Sequence, residues 1–265
     1  MIHLTASIHP QAKLHPGVSI GPYAVVDAGV EIGSDCRIGP HVYITGRTTI
    51  GQGNQFHAGC VIGDAPQDLK YKGEPTELRI GERNVFREHF TVHRSTNLGQ
   101  ATTIGSDNFL MANSHIGHNS VIGNHVIMAN GALLGGHVIV QDRAFISGNC
   151  LIHQFTRVGS LAMMRGGSAI SKDLPPFCVA LGENTICGLN SVGLRRAEYS
   201  PEQRLELKRL YHDLFRAGIN LRTAVAAARE KFAGQAAKAV LEFMMAAKRG
   251  VCSDRGGGRH EPEED

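Results

Sequence analysis

An apolar residue returns at every sixth position over most of this chain. From Ala6 the sequence divides into hexads, ASIHPQ, AKLHPG, VSIGPY and onward to CVIGDA, whose third place runs from Ile8 through Leu14, Ile20 and Val26 to Ile62. A first insertion, PQDLKYKGEPTE (66–77), breaks the run, and LRIGER, NVFREH and FTVHRS restore its phase. After a second insertion, TNLGQA (96–101), hexads follow without a gap from Thr102 to Asp173, with third places from Ile104 to Ile170. A fixed six-residue period with one inward apolar residue predicts a parallel β-helix, in which each hexad supplies a short strand and a corner. Three hexads close one triangular coil, so residues about eighteen apart stack, with coils spaced at roughly 4.8 Å. Short antiparallel strands with Gly-rich turns would instead repeat at about 8 to 12 residues with strict alternation. The period leaves the hand of the coil open, although parallel crossovers are usually right-handed.

The phase dissolves after Asp173 into a Pro- and Gly-containing exit, LPPFCVALGENTICGLNSVGLRRAEY. Helices are predicted beyond it. Ser200-Pro201-Glu202-Gln203 reads as a capping box with Pro at the first helical position, opening a helix whose apolar face carries Leu207, Leu210, Tyr211 and Leu214. Gly218 is a suitable stop. Asn220 caps a second helix through Leu221 to Phe232, and Gln235 to Arg249 forms a third, closed by Gly250. The expected organisation is mainly β: a β-helix over 1–187, a connecting segment and α-helical domain over 188–250, and a Gly-rich, charged tail over 251–265 expected to be disordered.

Composition narrows the class. The 265 residues carry a net charge of +3, 42% hydrophobic and only 6% aromatic residues, no Trp and 32 Gly, which suits narrow repetitive turns better than a bulky core. Six scattered Cys without CxxC pairs suggest free thiols in a reducing compartment rather than disulfides or a cysteine zinc site. The start, MIHLTASIHP, has no basic and then apolar signal pattern, and no run of about 18 apolar residues exists, so a cytoplasmic location without membrane insertion is expected. No nucleic-acid partner is expected either. A solenoid end needs a cap, which the helices can supply. Flat prism sides offer few concave pockets, so a cleft between neighbouring prisms is the natural place for a site.

The candidate chemistry is a histidine-rich stretch, NFLMANSHIGHNSVIGNHVIMANGALLGGHVIVQDRAFISGNCLIHQF. His118 and His137 are nineteen residues apart, and His137 and His153 sixteen, each within two of one coil, so the three are expected as an approximate column on one face. His115 is expected one strand away, across a corner. One outward His is ordinarily a solvated or interface residue; a stacked set beside Asn119, Gly135-Gly136 and Gln154 points to function. Two readings compete. A neutral His suits general-base attack by a hydroxyl, while three His suit a catalytic zinc, as in hexapeptide-repeat carbonic anhydrases. A column over three coils spans about twice 4.8 Å, too far for one ion within a chain, which leaves a metal assembled between subunits. From another class, a non-catalytic trimeric scaffold stays open.

The motifs decide among these by resemblance. PQDLKYKGEPT, VHRST, IGSDNFLMANSHIGHNS, GALLGGHV, LIHQF, KDLPPF and GLNSVGLRRA, spanning Ala6 to about Arg196, resemble the UDP-N-acetylglucosamine O-acyltransferases that begin lipid A synthesis. The resemblance implies a left-handed coil, a homotrimer with sites in the inter-subunit clefts, and no metal or redox cofactor. It implies transfer of an (R)-3-hydroxyacyl chain from acyl carrier protein to the glucosamine 3-hydroxyl of a UDP-sugar. By the same resemblance His118 is the general base and Gly136 supplies the oxyanion N–H. His115, His137, His153 and Gln154 contact substrate, Asp68 and Lys70 reach into a neighbour's cleft, Asn190 and Arg196 contact the nucleotide, and Gly166 sets the floor of the acyl pocket. Three positions depart from the family: Asn119 where Asp often follows the base, Val192 where an acid is expected, and Ala197 where a second Arg is expected. These keep open a 3-amino acceptor. The related N-acyltransferase usually has an extra N-terminal domain, for which hexads starting at Ala6 leave no room. Arg204, Lys208, Arg209, Arg216 and Arg222 on the helices suit either an acidic carrier protein or a solvated face.

Overall fold

The six places of each hexad divide the work of the coil. The third place is the inward apolar residue of the repeat, and Ile32, Ile44, Ile62, Leu110, Ile116 and Ile146 there are fully buried. The first place also points inward, and it is mostly filled by small or polar residues such as Ala24, Cys36, Ser114, Ser120, Ala132 and Ala144, each with at most 1% exposure, although Leu78 and Phe90 hold it as well. The sixth place turns the corner in the left-handed backbone region, as at Asp35, Asn113, Asn119, His137 and Asn149. Asn, Asp and His tolerate that region better than other residues with a Cβ.

In the computed structural model, which describes residues 1–255, these coils wind as a left-handed parallel β-helix with three sheets. Most strands are two residues long. The first sheet runs from Ser7–Ile8 to Ala169–Ile170, the second from Lys13–Leu14 to Arg157–Val158, and the third from Ser19–Ile20 to Met163–Met164. Where the first place holds Asn, the side chains stack: Asn84 Nδ2 donates to Asn54 Oδ1, and Asn108 Nδ2 to Asn84 Oδ1, both at 2.9 Å. Each buried third-place Ile or Leu is worth about 1.5–3 kcal/mol, against about 0–1 kcal/mol for an exposed pair such as Arg79–Glu77. Stacked aliphatics, not surface charge, hold the coils together.

Beyond the hexads the third sheet continues through Cys178–Ala180 and, antiparallel to it, Thr185–Leu189. Among the described residues four helices follow: α1 (Ser191–Arg196), α2 (Pro201–Phe215), α3 (Leu221–Lys231) and α4 (Gln235–Met245). The capping box at Ser200 forms as its sequence dictates, with Ser200 Oγ accepting from Gln203 N–H and Gln203 Oε1 accepting from Ser200 N–H. Helix α1 is not foreshadowed by any periodicity, being six residues long. Helix α4 ends four residues short of Arg249, where Ala246 and Ala247 turn back onto its last carbonyls. Leu207, Leu214, Ala224, Phe232, Leu241 and Met244 make a second core that reaches the coil through Leu161 and Phe177. Arg157 pins this cap: its guanidinium lies 2.7 Å from Asp173 Oδ2, donates to Phe243 O at 2.8 Å and covers the Phe243 ring.

The start of the expected disordered tail is instead ordered. Val251 bridges to Asp173, Cys252 is fully buried, and Ser253–Asp254 adds a parallel strand beside Thr185–Leu189, with Asp254 accepting from Arg216 at 2.7 Å. A sheet edge left unpaired after Thr185–Leu189 gives this short segment its partner. The remainder of that tail, 256–265, lies outside the described residues.

Candidate active site

Both insertions and the histidines lie along one edge of the prism, where the first sheet passes to the second. The first insertion occupies 65–76, between strands Val61–Asp64 and Glu77–Ile80, and the second 94–100, between Thr91–His93 and Ala101–Ile104. Glu77 and Ala101, expected within the insertions, are already strand residues paired with Arg47 and Glu77 respectively. The next three coils cross the same edge at 117–120, 135–138 and 153–156.

Register decides which residues meet there. His115 pairs with Thr91 on one side and Leu133 on the other, so His118, Gly136 and Gln154 hold equivalent corner places, and Asn119, His137 and Phe155 the next. The expected column of His118, His137 and His153 is therefore a staggered group, because their spacings of nineteen and sixteen shift each by a place. His118 meets His137 edge-on at 5.2 Å, and His137 stacks on Phe155 at 4.5 Å. His115 lies on the strand that enters the corner, on the same edge as His118 and not across one.

Gly136 fits against the His118 ring so closely that a Cβ would stand 2.7 Å from Nε2. Its N–H has no hydrogen-bond partner among the described residues. Gly117 and Gly135 make the same close approach between coils, since a Cβ at Gly117 would meet Gly135 C at 2.6 Å. On its other side His118 Nδ1 is 2.9 Å from Asn119 Oδ1. Burial, with help from His93 and His118, pushes His115 down to about 4, and its Nδ1 is 2.7 Å from Thr91 Oγ1. Burial likewise lowers His137, reinforced by His118 and opposed by Asp68.

An open groove of about 590 Å³ along the first sheet collects His115, His118, Gly136, His153 and Gln154, then runs past Leu133 and Leu151 to Ser171 and Glu183. It also contains Gln67 and His93, which sequence reasoning missed. His93 is 7% exposed and meets the His115 ring edge-on at 4.7 Å; burial lowers it too. It follows a third-place Val, as His153 follows a third-place Ile, so reading the hexads by place would have found it. Asp68 and Lys70 follow Gln67 in the first insertion, outside the groove's lining; Asp68 acts on the His137 ring, and Leu69 between them is fully exposed. Arg94 braces that insertion, donating to Tyr71 Oη at 3.1 Å and Gly63 O at 2.8 Å.

Three expected residues lie elsewhere. Asn190 and Arg196 line a second groove of about 740 Å³ on the third sheet, with Phe145, Met163, Val192 and Ala197. The Asn190 side chain caps α1 through Gly193 N–H and donates to Leu161 O, both at 2.9 Å, so it already has a structural task. Gly166 turns the corner from third to first sheet, where a Cβ would find nothing nearer than Gly148 O at 3.6 Å. Among the described residues no three His, Cys, Asp or Glu side chains are placed to share a metal ion.

Known proteins resemble this chain in sequence and fold. The family model described as UDP-N-acetylglucosamine O-acyltransferase, domain 2, matches residues 173–252, and the bacterial transferase hexapeptide model matches 11–46, 29–64 and 101–136. The acyl-(acyl-carrier-protein)-UDP-N-acetylglucosamine O-acyltransferase of Thermodesulfovibrio yellowstonii is 46% identical over 255 residues, 95% of this chain and 98% of its own. That of Syntrophobacter fumaroxidans is 42% identical over 254 residues, 94% of this chain and 98% of its own. The chain belongs to this acyltransferase family. The fold agrees: the crystal structure of the Francisella novicida UDP-N-acetylglucosamine acyltransferase superposes with a TM-score of 0.93 at 33% identity, covering 96% of this chain and 95% of that one. Among the described residues no helix of this acyltransferase is long and apolar enough to cross a membrane.

Proposed function

We propose that this chain transfers a 3-hydroxyacyl group from acyl carrier protein to the 3-hydroxyl of UDP-N-acetylglucosamine, with His118 as general base, in a homotrimer in the cytoplasm. The observation that carries the mechanism is the His118 ring held between Asn119 Oδ1 at Nδ1 and Gly136 at Nε2. Nε2 takes the proton as the sugar oxygen attacks the thioester carbonyl. The tetrahedral oxyanion is met by the unpartnered Gly136 N–H, a donor fixed in place before charge develops. Collapse breaks the C–S bond, and the imidazolium returns its proton to the departing thiolate, leaving an ester and a free carrier thiol. No covalent enzyme intermediate is needed. Neutral His115 and His93 suit contacts to uncharged hydroxyl or amide groups of the substrates.

Trimer assembly is supported by outward apolar residues of the first sheet that a lone prism would leave wet: Leu133 is 43% and Leu151 50% exposed. It is also supported by the separation of the two grooves. Arg196, suited to a diphosphate by its forked guanidinium, lies on the third sheet, so it meets the His118 groove only if neighbouring prisms set first sheet against third. A cytoplasmic location agrees with six unpaired cysteines. Of the basic residues expected to meet the carrier protein, Arg216 is held by Asp254, which leaves Arg204, Lys208, Arg209 and Arg222 for that role.

The test is turnover of His118→Ala with a hydroxyacyl carrier protein and UDP-N-acetylglucosamine, the product identified by mass. A loss in kcat of about 10²-fold or more with unchanged circular dichroism is expected; near-normal turnover would overturn the base assignment.

A further inference from the structure

The base has an amide for its partner, and an amide has a wrong side. If Asn119 turned Nδ2 toward the ring, His118 Nδ1 would have to accept, its proton would sit on Nε2, and the nitrogen beside Gly136 could not act as a base. Replacing the carboxylate by an amide beside the histidine of a serine protease lowers kcat about 10⁴-fold for this reason.

The second insertion removes the wrong side. Thr96 N–H donates to Asn119 Oδ1 at 3.0 Å, and Thr96 Oγ1 is 2.9 Å from the same atom. A backbone N–H can only donate, so it identifies this atom as the oxygen, and the His118 Nδ1 that shares it must carry a proton. Asn119 Nδ2 in turn donates to Ser95 Oγ at 2.7 Å and to Gln100 Oε1 at 3.2 Å. Neither acceptor is free to drift. Ser95 Oγ accepts from Asn97 N–H at 3.1 Å, and Gln100 Oε1 from Asn97 Nδ2 at 3.2 Å. The Asn119 backbone, at φ +58°, is tied by its own N–H to Thr102 Oγ1 at 2.8 Å. The topology does not require these extra residues, because Thr45 and Gly46 alone carry the chain across the same edge in an earlier coil.

We infer that the second insertion is a tautomer lock: through Asn119, residues Ser95, Thr96 and Gln100 hold His118 with its proton on Nδ1 and Nε2 open to the substrate. The inference rests on His118 being the base. Asn119 is then a positioning residue that orients the imidazole without lending it charge, so this chain obtains by a fixed amide what a carboxylate would give by having two equivalent oxygens.

The deciding variant is Ser95→Ala with Gln100→Ala, which removes both acceptors of Nδ2 and leaves the amide held only by the Thr96 donors at Oδ1, so that a turned amide becomes populated. Expected is a fall in kcat of about tenfold or more with little change in KM for the UDP-sugar. In ¹⁵N spectra of histidine-labelled protein near neutral pH, His118 should pass from Nδ1–H in the wild type to a mixture of tautomers. Adding Asn119→Asp to the double variant should restore kcat, because a carboxylate accepts from Nδ1 in either orientation, and should move the acid limb of kcat/KM to higher pH. A damaged loop would not be rescued in this way. A triple variant as slow as the double, or wild-type His118 carrying its proton on Nε2, would overturn the lock. If His118→Ala is inactive while the rescue fails, only the lock falls; if His118→Ala turns over normally, the base reading falls first.

Discussion

The His118 imidazole occupies the space that a side chain on Gly136 would take: a Cβ there would lie 2.6 Å from Cε1 and 2.7 Å from Nε2. The position of the base is set by the emptiness of a residue one coil away. Gly136→Ala keeps the N–H and the fold's hydrogen bonds but must push the ring from its bond with Asn119. We expect kcat to fall by about 10²-fold, the scale associated with a displacement near 1 Å, with Tm nearly unchanged because the ring can swing into the open groove. Wild-type kcat in this variant would mean that the ring yields without consequence.

A second prediction concerns pH. His115 in the folded chain is pushed from its ordinary 6.5 down to about 4, first by burial and then by His93 and His118. The unfolded chain therefore binds more protons between about 4 and 6.5, so this contribution to stability is complete above about 6.5 and is lost as pH falls through that window. His93 acts in the same direction. Tm should drop between pH 7 and pH 5, and His115→Gln should flatten part of that slope, as read by thermal melts across the range. An identical slope in the variant would place the proton uptake elsewhere.

Much of this was legible beforehand, and the remainder was hidden for physical reasons. The third places from Ile8 to Ile170 announce the coil because every one of them is apolar and nearly all are buried. The first places escaped notice because they lie where the walls converge, and Ala, Ser, Cys, Thr and Asn all fit there, so hydrophobicity does not mark them. The insertions could be seen as breaks in phase, yet their common edge depends on counting corners through both, which only the strand register supplies. His115, His118, Gly136, His153 and Gln154 line one groove. Asn190 and Arg196 did not, since a single chain places them on another sheet. His93 went unnoticed because it precedes an insertion and sits outside the histidine-rich stretch.

The corner at Gly166 predicts a change in acyl preference. A Cβ there meets only Gly148 O, at 3.6 Å, an ordinary contact, so a larger side chain fits without disturbing its own chain and projects from the corner into whatever space adjoins it. If that space is the floor of the acyl pocket, Gly166→Met should shorten the preferred chain while leaving turnover on the shorter donor within a few fold. Competition among hydroxyacyl carrier proteins of graded length, with products resolved by mass, reads this directly. An unchanged length profile would remove Gly166 from the acyl path.

The most demanding prediction follows from the two grooves lying on different sheets. If first and third sheets of neighbouring prisms face each other, each site takes His118 from one chain and Arg196 from another. His118→Ala and Arg196→Ala proteins should each be nearly inactive, the second chiefly through a raised KM for the UDP-sugar, and each should run at three times the chain mass of 28.5 kDa. Unfolded together and refolded as mixed trimers, they should regain activity, because some interfaces pair an intact His118 with an intact Arg196. Random assembly of a cyclic trimer from equal amounts gives about one quarter of sites both groups, so activity should approach that fraction of wild type. The same two proteins mixed without unfolding should stay inactive. Absence of recovery in the mixed trimers, with each refolded wild-type control active, would mean that both residues serve a site within one chain, and the placement of Arg196 on the third sheet would need another explanation.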